Sequence, residues 1–138
     1  MGIKNILFIS SEFPPGPGGI GNHAWNLSKE LNNHIPVHVL TVSDYATSEK
    51  CLEFDKKEGF YIHRFNRYDF PLITYLIRII QIIKHLTRKE YSHCIVSGHF
   101  SLLMSIIIRY INKDIKLVGI LHGDELLQTN FIMKILLH

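Results

Sequence analysis

The chain has 138 residues, 46% apolar and 20% charged, a composition that fits one globular domain with its own core and excludes disordered and fibrous classes. A net charge of +3, with no basic run interleaved with aromatics, argues against nucleic acid as a partner. Cys51 and Cys94 have neither zinc-site nor disulfide-framework spacing, and Ile6 to Ile9 is too short for a secretory signal, so a reducing cytoplasmic setting is expected.

Lys4 to Ser10 is a short β-prone apolar run, the pattern of a strand buried on both faces. The loop from Ser11 to Gly19 is crowded with Pro14, Pro15, Gly16, Pro17, Gly18 and Gly19, which forbid regular structure and allow close backbone approach. Ile20, Ala24, Leu27 and Leu31 then recur at helical spacing, predicting a helix to about Asn32, and Val37 to Val42 reads as a second strand. Strand, glycine loop, helix and strand make the βαβ unit of doubly wound folds.

Ser43 to Glu58 shows no clear period and suggests no helix, while Phe60 to Phe65 reads as a third strand. Leu72 to Arg88 is predicted as a helix because Thr74, Arg78, Gln81, His85 and Arg88 form a single polar stripe. Charge also concentrates here: Arg64 to Glu90 holds six basic residues against two acidic ones. Arg78, Gln81 and Lys84 interrupt the apolar run that a membrane span would need. The helix is therefore expected under the sheet, in preference to a position on an anionic membrane with its basic stripe outward.

His93 to Ser97 is predicted as a fourth strand, Ser101 to Tyr110 as a nearly all-apolar, buried helix, and Lys116 to Leu121 as a fifth strand. Asp124 is a candidate cap for a further helix. These elements predict a Rossmann-like α/β fold with a mainly parallel sheet in the order 3-2-1-4-5.

Three turns at the carboxyl edge of such a sheet carry ligand-type chemistry. Gly16, Gly18, Gly19 and Gly21 lead into a helix amino terminus, where exposed N–H groups and the positive dipole end suit a phosphate or diphosphate. His122-Gly123 follows the fifth strand, where an imidazole can hydrogen-bond a sugar hydroxyl or a phosphate. Ser97-Gly98-His99 follows the fourth strand at the same edge. Gly16, Gly18 and Gly21 also satisfy the dinucleotide fingerprint, with Asp44 placed as a ribose-binding acid, so an oxidoreductase domain binding NAD(P) or flavin is an alternative. Against it, Ser11 to Pro15 intervene between strand and glycines. A phosphate-binding Lys-Ser or Lys-Thr is absent, which excludes an ATP-hydrolysing P-loop, and no histidine cluster has metal-ligand spacing. A third reading is a non-catalytic docking module, in which Phe131 to Leu137 is exposed until a second chain covers it.

The run from Ile6 to Leu40, with Glu12-Phe13-Pro14-Pro15, Gly18-Gly19-Ile20-Gly21 and Leu27-Ser28-Lys29-Glu30-Leu31, resembles the amino-terminal domain of glycosyltransferase family 4, retaining enzymes of the two-domain GT-B fold. Leu121-His122-Gly123-Asp124-Glu125 resembles that family's loop-histidine motif, and Ile95 to His99 resembles its strand ending in a loop histidine. The resemblance implies transfer of a sugar from a nucleotide-sugar donor to a sugar or lipid-linked acceptor, as in cell-surface polysaccharide synthesis. The acceptor would sit on this domain and the donor nucleotide on a second one. Gly18 and Gly19 would approach the donor diphosphate, His122 would line the active site as its catalytic residue, and His99 and Gly123 would bind substrate. No cofactor and no metal would be needed, since backbone dipoles neutralise the diphosphate. His93 stands where the family usually has an aspartate. The donor-binding domain, with its paired glutamates, is expected beyond His138 or on a second chain, so transfer by these residues alone is not expected. A cytoplasmic setting is expected, and the basic stripe of the Leu72 to Arg88 helix permits, without requiring, peripheral contact at the inner face of the membrane.

Overall fold

The computed structural model describes residues 4–87 and 91–122. The elements run β1 (Asn5–Ser10), α1 (Gly19–Asn32), β2 (Val37–Val42), α2 (Ser48–Asp55), β3 (Tyr61–Phe65), α3 (Pro71–Thr87), β4 (Tyr91–Ser97), α4 (His99–Ile111) and β5 (Lys116–Ile120). All strand pairings are parallel, and the sheet order is β3-β2-β1-β4-β5. This is the Rossmann-like order expected, with the direction of winding reversing between β1 and β4.

Alternation along the central strands divides the core in two. Ile6, Phe8, Val37 and Val39 pack with Ala24 of α1, with Phe54 of α2 against them. Leu7, Ile9, Leu40, Val42 and Phe65 face the other way, onto Ile82 and Leu86 of α3 and Met104 and Ile108 of α4. β1 is apolar on both faces because both are covered. At the edge, β5 is covered less, and Val118 remains exposed.

One expectation needs correction. The link between β2 and β3 holds a helix, α2, where none was expected. Its hydrophobic signal is weak because only Cys51 is buried, with Phe54 half-buried. Its start is set instead by Thr47, whose side chain accepts from Lys50 N at 3.4 Å, with Glu49 in the first turn.

Helix α3 lies under the sheet as expected, and its polar stripe faces the sheet. Thr74, Arg78 and His85 are buried, whereas Leu72, Ile73, Leu76 and Ile80 are exposed. Each described residue of the stripe finds a polar partner inside. Thr74 Oγ1 accepts from Tyr68 N at 3.0 Å. Arg78 Nη2 donates to both oxygens of Asp44, at 2.9 and 3.2 Å. Gln81 Oε1 lies 3.0 Å from His63 Nε2, and His85 Nδ1 lies 3.4 Å from the Tyr91 hydroxyl, which also meets His38 Nδ1 at 2.9 Å. Burial of polar groups is tolerated because they are paired. The arrangement with this stripe turned outward to a membrane is therefore not the one found.

Element limits shift slightly: β3 begins at Tyr61, β4 begins at Tyr91, and α4 begins at His99 and leaves Ile106 and Tyr110 exposed rather than fully buried. Arg88, Gly123, Asp124 and the Phe131 to Leu137 segment lie outside the described residues. No described helix is long and apolar enough to cross a membrane.

Candidate functional site

Three strand ends meet at the carboxyl edge of the sheet. β1, β4 and β5 are neighbours, with Ser10 opposite Ser97 and Ser97 opposite Ile120. The turns that follow them, at Ser11, Gly98 and Leu121, therefore lie side by side. In open α/β sheets this position, where the winding reverses, leaves a crevice outside the strand ends.

Two helices point their amino termini at this rim. Gly18 precedes α1 with φ +132°, and Gly98 precedes α4 with φ +86°, both in the region that L-residues avoid. A Cβ on Gly98 would also come within 2.6 Å of Ser11 Cβ, so β4's turn closes directly onto β1's turn. Neither glycine caps its helix with a side chain, which leaves first-turn N–H groups of α1 and α4 without such a partner, apart from Ser101 N, held by Ser11 Oγ at 3.3 Å. Gly19 has open space around it: a Cβ there would meet nothing within 4 Å.

The loop before α1 is anchored from behind by Arg64 of β3. Its guanidinium donates to Pro14 O at 2.5 Å, to Val42 O at 3.2 Å and to the Asp55 carboxylate at 2.7 Å. Asp55 is the last residue of α2, so the unexpected helix supplies the carboxylate that orients this arginine. Inside the loop, Ser10 Oγ donates to Glu12 O at 2.6 Å, and Phe13 is buried with its ring edge-on to Phe54 and Phe60. The Pro14–Pro15 bond is cis.

His122, half-buried, sits two residues past β5 with Nε2 3.0 Å from Ser97 Oγ at the end of β4. Its ring lies edge-on to His23 of α1, with centroids 5.5 Å apart. The β5 turn is thereby tied to the first turns of α1. His99 is exposed as the first residue of α4.

Beside these groups a cavity of about 320 Å³ opens at the same edge, lined by Ser11, Glu12, Asp44, Tyr45, Tyr75, Arg78, Gly98 and His99 among others. Arg78 is 7% exposed and Asp44 18%, and their ion pair forms part of the wall. Nε of Arg78 is buried without a hydrogen-bond partner. The Tyr75 ring packs against Phe100 with centroids 5.4 Å apart. Carboxylates, a guanidinium, hydroxyls and aromatic faces together are suited to a polar ligand with hydroxyl groups and a flat apolar side.

The predicted residues thus fall into two neighbouring groups. Gly18 and Gly19 stand at α1's amino terminus, and His122 is joined to that helix through His23. His99 belongs instead to the cavity wall. Glu12 connects the groups, since a Cβ on Gly18 would run into its carboxylate. Glu12, Arg78, Tyr45 and Tyr75 were not singled out as site residues. Arg78 carries a signal as part of the polar stripe of α3, but its partner Asp44 lies 34 positions away. Asp44, expected as a ribose-binding acid, has its carboxylate taken up by Arg78.

Among the described residues no group of three or more His, Cys, Asp or Glu side chains is placed to hold a metal. Comparison with protein-family models and with curated proteins finds no match to this chain.

Proposed function

We propose that this domain is the acceptor side of a glycosyltransferase, moving a sugar from a nucleotide-sugar donor to a hydroxyl-bearing acceptor at the carboxyl edge of the sheet. The observation that carries the reading is the convergence of α1's glycine-headed amino terminus, His122 and a mixed polar and aromatic cavity on one rim. A donor diphosphate fits the exposed amides at Gly19 and the start of α1, where the helix dipole favours negative charge. An acceptor sugar fits the cavity, with Tyr45 and Tyr75 offering apolar faces and Glu12, Asp44 and Arg78 offering hydrogen bonds.

His122 stands beside the amino-terminal turns of α1, held by Ser97, and its role is to hydrogen-bond the sugar being transferred. The step breaks the bond between the anomeric carbon and the diphosphate oxygen and forms one to the acceptor oxygen. The acceptor's proton leaves with the diphosphate. Positive charge from helix termini stabilises that leaving group as it develops charge. The nucleoside would be held by a second domain or chain facing the crevice, and the cytoplasm, where nucleotide-sugars are used, is the setting that fits.

The dinucleotide alternative has weaker support. Gly16 packs under Tyr45, where a Cβ would lie 3.0 Å from the tyrosine Cβ, so the first glycine of the fingerprint is engaged in the loop. Asp44 is engaged by Arg78.

The test is release of nucleoside diphosphate from a panel of nucleotide-sugars by the full native gene product, with and without acceptor oligosaccharides. The expected result is acceptor-dependent release that drops at least about a hundredfold in His122→Ala, the range for loss of a key polar group in the transition state. Unchanged turnover in His122→Ala removes that residue's role. Tight NADH or flavin binding with no sugar turnover removes the reading itself.

A further inference from the structure

The outer face of α3 is apolar. Leu72, Ile73, Leu76 and Ile80 are 72%, 44%, 51% and 62% exposed, and at about 100° per residue they share one sector of the helix with exposed Lys84 at its margin. Phe70, just ahead of the helix, is also exposed. α4 packs beside α3 on the same face of the sheet and exposes Ile106 and Tyr110 next to Arg109. Surface aliphatic residues occur singly on most proteins, but a row along one helix is a contact surface.

Charge selects the partner. Neither α3 nor α4 contains an aspartate or glutamate, and their exposed charges, Lys84 and Arg109, are both positive. Asp69, exposed before α3, is offset by Arg67 at the same end. Pairing with a second copy through this face would bring surfaces of like charge together. An anionic lipid surface, by contrast, complements both features, taking the aliphatic side chains below the headgroups and the cations at their level. A helix of 17 residues, about 25 Å long, would lie along the interface rather than cross it.

We propose that the outer face of α3, with the exposed end of α4, docks on an anionic lipid bilayer. This differs from an outward polar stripe: Arg78 and His85 are turned to the sheet, and it is the aliphatic sector that enters the lipid. The inference stands independently of sugar transfer, because it uses none of the rim residues. Tyr75 of α3 lines the crevice, so a docked helix would set that crevice beside the bilayer.

The experiment uses the full chain with vesicles of phosphatidylcholine alone and of phosphatidylcholine with phosphatidylserine at about 70:30. Co-sedimentation is expected with the anionic vesicles only, weakening as salt rises. Leu76→Gln with Ile80→Gln should lower partitioning at least about tenfold, and Lys84→Ala or Arg109→Ala about fivefold each. Because Cys51 and Cys94 are buried, Leu76→Cys can carry a polarity-sensitive dye as a second readout, and its emission should shift to the blue on anionic vesicles. Absence of binding to anionic vesicles overturns the proposal, as does binding that survives the double variant. Two other outcomes also overturn it: a dimer dissolved by the same double variant assigns the face to a second copy, and a dye already shielded in lipid-free monomer assigns it to the chain's own residues.

Discussion

The two helical layers treat their polar residues in opposite ways. On one side of the sheet, α1 buries Gly21, Ala24 and Ser28 and leaves Asn22, Asn26, Lys29 and Glu30 exposed. On the other, α3 buries Thr74, Arg78 and His85 and exposes Leu72, Leu76 and Ile80. Both helices show a clean stripe. Periodicity tells which residues share a side, but the side that faces inward is decided by what the sheet offers. Asp44 follows β2 and β3 carries His63, so the inner surface under α3 contains a carboxylate and an imidazole that apolar side chains could not satisfy.

The largest test of that contrast is Arg78→Ala, which strands the Asp44 carboxylate beneath α3. It is expected to cost about 3 kcal/mol or more in urea unfolding, the scale for breaking a mostly buried pair. Arg78→Met combined with Asp44→Leu should recover most of the loss, and no recovery would mean that the pair does more than satisfy itself. Gly98→Ala comes next, at about 2 kcal/mol, because φ +86° and the closeness of Ser11 both oppose a side chain.

Cys94, central in β4, gives a pH-dependent test. Burial pushes its thiol above the ordinary value of 9.0. The folded chain keeps this proton where the unfolded chain releases it, so the contribution to stability is full below about pH 9 and declines as pH rises further. Cys94→Val should flatten the fall in unfolding free energy above pH 9, and an unchanged slope would point to other groups. The smallest effect is expected for Leu76→Gln on the exposed side of α3, within about 0.5 kcal/mol in the absence of lipid. A loss of several times that size would show the aliphatic sector to be covered, and would reverse the contrast between the layers.

Much of this layout was legible from residues alone. Apolar runs ended by glycine or polar turns located all five strands, and the doubly wound pattern supplied their order. The rim turns were legible too, because the loop to Gly18, the turn at Gly98 and the turn at His122 come after the ends of β1, β4 and β5. α2 was not, because its burial rests on Cys51 with Phe54 alongside, and its start depends on the cap at Thr47. The crevice wall was not legible either: Arg78 meets Asp44, and Arg64 meets Pro14, only after β2 and β3 have paired. Such contacts join distant positions of opposite or complementary chemistry, and nothing in local spacing announces them.

The proposed function places the donor's diphosphate at the amino terminus of α1, beside His122. Its most direct test is a backbone NMR titration of the domain with UDP-glucose as the probe, with UDP and NADH as comparisons. The account predicts shift changes concentrated at Gly18, Gly19 and His122 for UDP-glucose and UDP, with the outer face of α3 silent. Changes scattered elsewhere, or a preference for NADH at the same residues, would contradict it.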